Sequence, residues 1–426
     1  MSFAIKGKYS EIKINATAIE QEAISQLYNM ANSPVTEDCK IVVMPDVHAG
    51  KGATIGYTQT ISKEHPRVIP STVSVDIGCG MLVLKISKEA GDKLFNKPGL
   101  EKFDKIMHTK VPSGMAHRET LHKFAKDFTE IKNLIADADY DKELFAIGSL
   151  GGGNHFVEID TDEKGDYYIV IHSGSRHLGI AVAKYWENKA IEYHKNSSKA
   201  KTDLINKLKK EGHEKDIQTE LAKLPAVIVS KDLSYLEGAD VDGYLHDMKI
   251  CQEFARLNRE AMLDVLIEEM GIKKRHILNK FCTIHNYIDI ENGILRKGAI
   301  SLQKDELAII PGSMEYGSLI VKGKGNPDWN FSGPHGFGRK LSRSKAKETL
   351  KMEEFKDRMK DIYSTSVCVG TIDESPMAYK SPEDIIPNLT DTCDIITHIT
   401  PIYNFKASDW IKIKATQFEW LFILLS

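Results

Sequence analysis

The sequence contains little cysteine, and this scarcity excludes several classes of protein. None of the six cysteines among its 426 residues has a second cysteine at the short spacing of a structural zinc site or a small disulfide framework. The amino terminus, Met1–Lys6, lacks the apolar core of a signal peptide. We therefore expect free thiols and a reducing, cytoplasmic location. The cysteines are Cys39, Cys79, Cys251, Cys282, Cys368 and Cys393.

An excess of positive charge is also missing. The 57 lysines and arginines are outnumbered by 60 aspartates and glutamates, for a formal net charge of −3. Any contact with nucleic acid must then come from a local basic patch. The apolar run Phe418–Leu425 is far too short to span a bilayer, so we expect no membrane association. With 42% hydrophobic residues, the chain can bury the sizeable core of a soluble globular protein.

The common nucleotide-binding motifs are absent as well. No GxxxxGK[ST] motif occurs, which excludes a P-loop nucleotide hydrolase. The glycines Gly151–Gly153 are followed by Asn-His without the helix that a dinucleotide-binding fingerprint requires. A nicotinamide-dependent dehydrogenase is therefore excluded too.

Short apolar runs alternate with amphipathic segments, which predicts a mixed α/β fold with a central sheet-rich core flanked by helices. No change in composition marks a domain boundary, so residues 1–406 are predicted to form a single domain, followed by an atypical tail over 407–426. Residues of about 197–225 are predicted as an exposed helical excursion. Strands are predicted over 40–44, 71–75, 81–86 and 167–171, a loop over 45–52, and helices over 116–140, 180–196 and 244–270.

Side chains that bind metals follow several of these apolar runs. Cys79 comes three residues after Asp76 in DIGCG, where glycines let the thiol and the carboxylate face one point. A thiolate can bridge two divalent ions, and a set of thiolate, carboxylate and imidazole suits manganese, zinc or iron rather than magnesium alone. A lone histidine is more often structural, so only the combination indicates a catalytic metal site. The candidates are Asp76, Cys79, Asn154, His155, His172 and His285.

Three further segments carry polar groups among glycines. In GPHGFGR (333–339) an imidazole, the ring of His335, lies among free backbone N–H groups next to an arginine, which favours phosphate binding and a nucleophilic histidine. The two serines of PGSMEYGS (311–318) either bind a base or phosphate or form an ordinary turn. Asp46 and His48 are interpreted as outer partners that orient metal ligands.

These segments together resemble the RtcB family of RNA-splicing ligases. The matching motifs run in the family's order from about residue 40 to 406. They are MPDVHAGKGATIG (44–56), VDIGCGM (75–81), GSLGGGNHFVEI (148–159), HSGSR (172–176), HNY (285–287), PGSM (311–314), HGFGR with LSRSKAK (335–347) and DESPMAYK (373–380).

The resemblance implies a GTP-dependent ligase with two manganese ions. Asp76, Cys79, His155, His172 and His285 would be the metal ligands, with Cys79 as the bridge. His335 would attack the α-phosphate of GTP and hold GMP through a phosphoramidate bond. The residues implied to contact the guanylate are Asn154, Glu158, Ser313, Ser318, Tyr379 and Lys406, together with Phe337, whose ring is placed to stack on guanine or narrow its slot.

The implied reaction joins an RNA 2′,3′-cyclic phosphate or 3′-phosphate end to a 5′-hydroxyl end, in RNA repair or tRNA splicing. It leaves open whether an archease-like activator takes part. An alternative on the same scaffold is a metal-dependent RNA phosphohydrolase or cyclic phosphodiesterase, and a third is a non-catalytic RNA-binding protein. Three positions depart from the family pattern: Phe337 replaces alanine, and His177 and Glu315 replace glycine, the last of these placing a negative charge near the nucleotide site.

Overall fold

The computed structural model describes residues 3–17, 19–222 and 229–407, and these form a mixed α/β fold, as predicted. The strands are β1 Phe3–Lys6, β2 Glu11–Ile14, β3 Ile41–His48, β4 Ile55–Thr60, β5 Arg67–Val68, β6 Gly80–Ile86, β7 Phe156–Thr161, β8 Tyr167–Ser173, β9 Leu236–Glu237, β10 Ile277–Ile284, β11 Asn286–Asp289, β12 Ile294–Lys297, β13 Ala299–Ser301, β14 Leu307–Ser313, β15 Gly317–Gly323, β16 Ser332–Pro334 and β17 Cys393–Phe405. The α-helices are α1 Gln21–Ala31, α2 Lys88–Leu94, α3 Lys97–Lys110, α4 Lys123–Asp127, α5 Tyr140–Glu143, α6 Arg176–Lys210, α7 Ile217–Ala222, α8 Ala239–Met270, α9 Arg343–Thr349, α10 Met352–Arg358 and α11 Pro382–Ile385.

Two sheets organise these elements. The larger has seven strands in the order β10-β6-β8-β7-β17-β15-β14, and all of its neighbours are antiparallel. The smaller has six strands in the order β1-β2-β3-β4-β12-β11, with β2 and β3 parallel. The connection from β10 to β11 passes directly between the two sheets, so their ends meet.

The seven-stranded sheet is covered on both faces. Along β6, Leu82, Leu84 and Ile86 point into one apolar cluster with α3 and α8. The alternate residues Met81 and Val83 point into a second cluster formed by the curled sheet itself. Because neighbouring side chains on a strand face opposite sides, both faces of β6 are largely apolar, and Met81–Leu84 is correspondingly a continuous hydrophobic run.

The long helix α8 supports the loops that follow the strands. The predicted helix over 244–270 is confirmed, and Gly271 ends it with the left-handed backbone (φ 70°) that glycine adopts readily. Asn258 is fully buried in α8, where its side-chain oxygen accepts hydrogen bonds from the backbone N–H groups of Gly148 and Ser149. Its amide nitrogen donates to the Ser173 hydroxyl and the Gly174 carbonyl. One side chain therefore ties together the loops before β7 and after β8.

Three predictions about local structure are wrong. Residues 71–75 do not form a strand: Pro70 starts a 3-10 turn over Pro70–Thr72, because its fixed φ suits the first position of a helical turn. The segment 116–140 contains only short helices, since Phe128 leaves the helical region to pack its ring against Phe254. The predicted loop over 45–52 begins later, because β3 continues to His48.

Other predictions are confirmed or fall outside the described residues. Strands over 40–44, 81–86 and 167–171 lie within or overlap β3, β6 and β8, and the helix over 180–196 lies within α6. Of the excursion over about 197–225, α6 and α7 account for the described part. The tail beyond Ala407 lies outside the described residues.

We expect Asn258→Ala to lower the free energy of unfolding by about 3 kcal/mol, because four backbone or hydroxyl groups lose their buried partner. Chemical denaturation of the purified protein measures this change. The exposed Asn29 in α1 supplies a matched control, and Asn29→Ala should change stability by less than about 0.5 kcal/mol. Equal stability of the two variants would contradict the role assigned to Asn258.

Candidate active site

A cavity of about 320 Å³ opens where the ends of the two sheets meet. The pairing of β6 with its neighbours builds one wall of it. Gly80 lies opposite Ser173 on β8 and opposite Ile284 on β10. Cys79 is therefore brought next to His172 and His285, which are distant in sequence.

Five side chains converge at this wall in two overlapping groups. Cys79, His172 and His285 form one group, and Asp76, Cys79 and His155 form the other; within each group the ligand atoms lie within 4.8 Å of one another. The Cys79 Sγ atom lies 3.4 Å from His155 Nε2 and 3.3 Å from His172 Nε2. The thiol thus belongs to both groups, which is the position of a ligand that bridges two ions.

Hydrogen bonds determine which ring nitrogen faces this centre. His155 Nδ1 donates to the backbone carbonyl of Leu150 (2.8 Å), and His172 Nδ1 donates to that of Asn154 (3.2 Å), since carbonyl oxygens only accept. In a neutral ring Nε2 then carries a lone pair. Yet His155 Nε2 lies 2.9 Å from an Asp76 carboxylate oxygen. Without a cation, this contact is a hydrogen bond that requires a proton on His155 Nε2; a divalent cation in its place would accept lone pairs from both groups.

The electrostatics of the wall agree with metal binding. Burial, together with the neighbouring imidazoles, lowers the pKa of His172 and His285 well below the usual value, so both rings are neutral ligands near pH 7. Burial raises the pKa of Asp76, but its hydrogen bonds, first of all to His155, lower it to about 2. Burial and Asp76 raise the pKa of the Cys79 thiol well above its usual value, so a bound cation is needed to hold the thiolate form.

His335 also lines the cavity and lies next to this cluster. Its ring centroid is 5.0 Å from that of His285. Its Nδ1 atom is 2.6 Å from a carboxylate oxygen of Asp46, which is fully buried in β3. The carboxylate accepts the Nδ1 proton and leaves Nε2 with the free lone pair. Asp46 therefore orients His335, whereas the sequence had suggested that it orients a metal ligand.

A close backbone approach makes this contact possible. Gly338 has φ 71°, and a Cβ atom at this position would lie 2.5 Å from the Asp46 carbonyl oxygen. The glycine after Phe337 is therefore required for the loop to reach β3. His48 donates from Nδ1 to the same Asp46 carbonyl, and its ring lines the cavity.

Another part of the cavity lining is a buried network of charges centred on Glu374. Its carboxylate accepts from the Tyr379 hydroxyl (2.6 Å) and contacts Lys406 Nζ (3.3 Å), Arg339 (3.1 Å) and Arg343 (2.7 Å). Burial raises the pKa of Glu374, but the cations, Lys406 first, lower it to about 2. The sequence analysis does not predict Glu374 as a site residue, although Glu374 lies next to Asp373 in the DESPMAYK segment that carries the family resemblance.

Comparison with known proteins identifies the family. The family model described as tRNA-splicing ligase RtcB matches residues 26–144 and 130–407. The chain belongs to the RtcB family. It is 32% identical over 415 residues to the RNA-splicing ligase RtcB of Escherichia coli strain K12, an alignment that covers 89% of this chain and 92% of that protein. It is 24% identical over 464 residues to the tRNA-splicing ligase RtcB of Nanoarchaeum equitans strain Kin4-M, which covers 89% of this chain and 90% of that protein.

The structure brings most of the predicted guanylate contacts of this RtcB chain to the cavity. Ser318 is the exception, since it is fully buried in β15 and does not line the cavity. Glu158 is buried on β7 beside Asn404, and burial raises its pKa to about 7 against the opposing effect of Lys406. The predicted contacts among the lining residues are Asn154, Glu158, Ser313, Phe337, Tyr379 and Lys406.

At two of the positions that depart from the RtcB pattern, the side chain makes a specific contact with a neighbouring residue. Phe337 is only 2% exposed, and its ring packs beside Tyr316 at 5.0 Å between centroids while also lining the cavity. The carboxylate of Glu315 is paired with the Arg358 guanidinium of α10 at 2.6 Å. The negative charge expected from Glu315 is therefore paired with a cation, and Glu315 itself does not line the cavity.

Among the described residues, no helix has the length and apolar character needed to cross a bilayer.

We expect Cys79→Ser to bind fewer divalent ions per chain than the native protein, because Cys79 belongs to both ligand groups. Elemental analysis of protein loaded with Mn²⁺ and passed through a desalting column measures the stoichiometry. Cys368→Ser is the matched control, since Cys368 is half-buried outside both groups. Identical metal content in all three proteins would contradict a site built on Cys79.

Proposed function

We propose that this protein is a GTP- and manganese-dependent RNA ligase that joins 2′,3′-cyclic phosphate or 3′-phosphate ends to 5′-hydroxyl ends. One observation carries the proposal: His335, oriented by buried Asp46, lines the same cavity as the Cys79 cluster. Membership of the RtcB family supports ligation of RNA. RNA repair or tRNA splicing is the biological context that follows.

In the first step, His335 is the nucleophile. Its Nε2 lone pair attacks the α-phosphorus of GTP; an N–P bond forms, the bond to the β-phosphate oxygen breaks, and pyrophosphate leaves with the electron pair. The ring gains positive charge as the bond forms. The Asp46 carboxylate, 2.6 Å from Nδ1, stabilises that charge and keeps the ring in position.

The metal site of the proposal consists of Asp76, Cys79, His155, His172 and His285. The shared thiol and the converging lone pairs fit two divalent ions, and manganese is our assignment. When bound, such ions neutralise phosphate oxygens and activate water or hydroxyl. In the chain itself, Arg343 lies at the cavity wall with its guanidinium partly exposed, where it can pair with phosphate.

The later steps use the same cavity. Water opens a 2′,3′-cyclic phosphate to a 3′-phosphate. An oxygen of that phosphate then attacks the phosphorus of the His335-bound GMP, and the N–P bond breaks, returning the electron pair to Nε2. The 5′-hydroxyl finally attacks the 3′-phosphorus, and GMP leaves as the new phosphodiester bond forms.

The guanylate is proposed to lie between His335 and the wall of Tyr379 and Lys406. Glu158, Asn154 and Ser313 provide acceptors and donors for the base and ribose. A hydrolase on this scaffold is the second candidate, because a carboxylate-oriented histidine can also act as a general base in hydrolysis. Membership of the RtcB family, whose compared members are named RNA-splicing ligases, favours the ligase.

Three predictions from the sequence complete the proposal. Residues 1–406 form the ligase domain, with the tail over 407–426 outside it. The protein acts in the cytoplasm. An archease-like activator is a candidate partner, whose need can be tested by adding such a protein to single-turnover reactions.

We expect incubation with radiolabelled GTP and Mn²⁺ to produce a covalent GMP adduct that His335→Ala abolishes, because no other ring nitrogen is proposed to attack the α-phosphorus. Gel electrophoresis under denaturing conditions measures the adduct. His65→Ala, at an exposed position, is the control and should retain full labelling. A labelled His335→Ala protein would contradict the proposed nucleophile, and opening of cyclic phosphate ends without joining would favour the hydrolase.

Asp46→Asn tests how the nucleophile is oriented. Its amide can present N–H or carbonyl to Nδ1, but it lacks the charge that stabilises the developing imidazolium. We expect the rate of adduct formation to fall on the order of 100-fold, with bound metal unchanged. Quenched-flow labelling measures the rate, and elemental analysis provides the internal control. A native rate in Asp46→Asn would show that the carboxylate is not needed.

A further inference from the structure

A loop over residues 112–118 lies on the rim of the cavity. Leu150 N donates to the Pro112 carbonyl (2.8 Å), and Gly114 N donates to the Gly151 carbonyl (2.9 Å). The Arg176 guanidinium donates to the Gly114 carbonyl (2.5 Å). The loop is thus attached directly to the glycine-rich segment that carries His155.

Two imidazoles stack on this rim. The rings of His117 and His177 have centroids 5.5 Å apart and planes inclined by 25°. Met115 lies beside them, 59% exposed, with its sulfur 3.4 Å from His177 Nε2. Both rings are partly exposed, and neither lines the cavity. The result is a flat, polarisable surface outside the proposed nucleotide site.

Charges of both signs lie near this surface. Arg176 and Lys142 lie close to both rings, and the Glu143 carboxylate lies close to these two cations. Burial first, and then Arg176, lowers the pKa of both imidazoles, so both rings are neutral near pH 7 and suited to stacking. Within the described part of the chain, the exposed Lys142 forms no ion pair and can meet a phosphate, whereas the Arg118 guanidinium donates to the Lys110 carbonyl.

We propose that His117, His177 and Met115 form a stacking platform for bases of the single-stranded RNA that flanks the ends to be joined. The proposal rests on the proposed RNA ligase function and adds a binding subsite to it. Bases stack on flat side chains regardless of sequence, while nearby cations hold the backbone phosphates, which is the usual composition of a single-strand binding surface. Since His177 stands where the RtcB pattern has glycine, the platform is a feature of this chain.

RNA fits this surface better than a protein partner does. The surface combines stacked rings with the exposed cation of Lys142, whereas a protein interface of this kind would centre on a larger apolar patch. The platform also lies next to the loop that carries His155, so an RNA strand that leaves the cavity meets it directly.

The test compares His117→Ala/His177→Gly with the native protein and with the His65→Ala control. The rate of GMP-adduct formation is measured first and should be native, because neither ring lines the cavity. In ligation of single-stranded RNA, the double variant should show a KM for RNA about ten-fold higher with little change in kcat. His177→Phe, which keeps a flat ring, should retain a KM near the native value.

Abasic nucleotides locate the contact. A series of RNAs carries one abasic nucleotide each, at successive positions beside the junction. At one or two positions the abasic nucleotide should weaken RNA binding to the native protein, and at these positions it should not weaken RNA binding to the double variant any further. A KM within two-fold of native in the double variant, or abasic effects that add fully at every position, would overturn the platform.

A separate readout distinguishes this proposal from the ligase assignment. Fluorescence anisotropy with RNA alone requires neither GTP nor catalysis. If the native protein forms no adduct, the ligase proposal fails, and anisotropy still decides whether the platform binds RNA. If the adduct forms and the double variant binds RNA as tightly as the native protein, only the platform fails.

Discussion

The site depends on the convergence of electron-pair donors around Cys79. Strand pairing of β6 with β8 and β10 forces the thiol against His172 and His285, and hydrogen bonds to backbone carbonyls turn ring nitrogens toward it. In water these groups would avoid one another. Burial of the apolar clusters on both faces of β6 therefore stabilises the fold enough to keep these side chains close together, although their proximity is unfavourable until cations bind.

The histidines around Cys79 and the proposed nucleophile His335 are oriented by different hydrogen-bond acceptors. In the cluster around Cys79, the Leu150 and Asn154 carbonyls accept the Nδ1 protons of His155 and His172, and burial lowers the pKa of His172 so that its ring is neutral. On the nucleophile side, the Asp46 carboxylate accepts the Nδ1 proton of His335. A carbonyl suits a ring that remains a neutral ligand, whereas a carboxylate suits a ring that becomes charged during reaction. The two environments thus match the two proposed roles.

Much of the site could be predicted from the sequence, because its ligands lie in short segments beside glycines and at strand ends. The same local reasoning recovered β6, β8 and α8. It failed where the outcome depends on contacts distant in the chain. The partner of Glu315 is Arg358, and His177 stacks on His117; neither pairing leaves a local pattern. The extension of β3 to His48 likewise depends on a neighbouring strand, since His48 pairs with Ile55 of β4. The 3-10 turn at Pro70, by contrast, has a local cause that the strand prediction did not take into account.

The most direct test of a thiol shared by two cations is anomalous diffraction from crystals grown with Mn²⁺. Two peaks are expected beside Cys79 Sγ, one of them also near Asp76 and His155 and the other near His172 and His285. Manganese bound elsewhere, with no peak beside Cys79, would contradict the account.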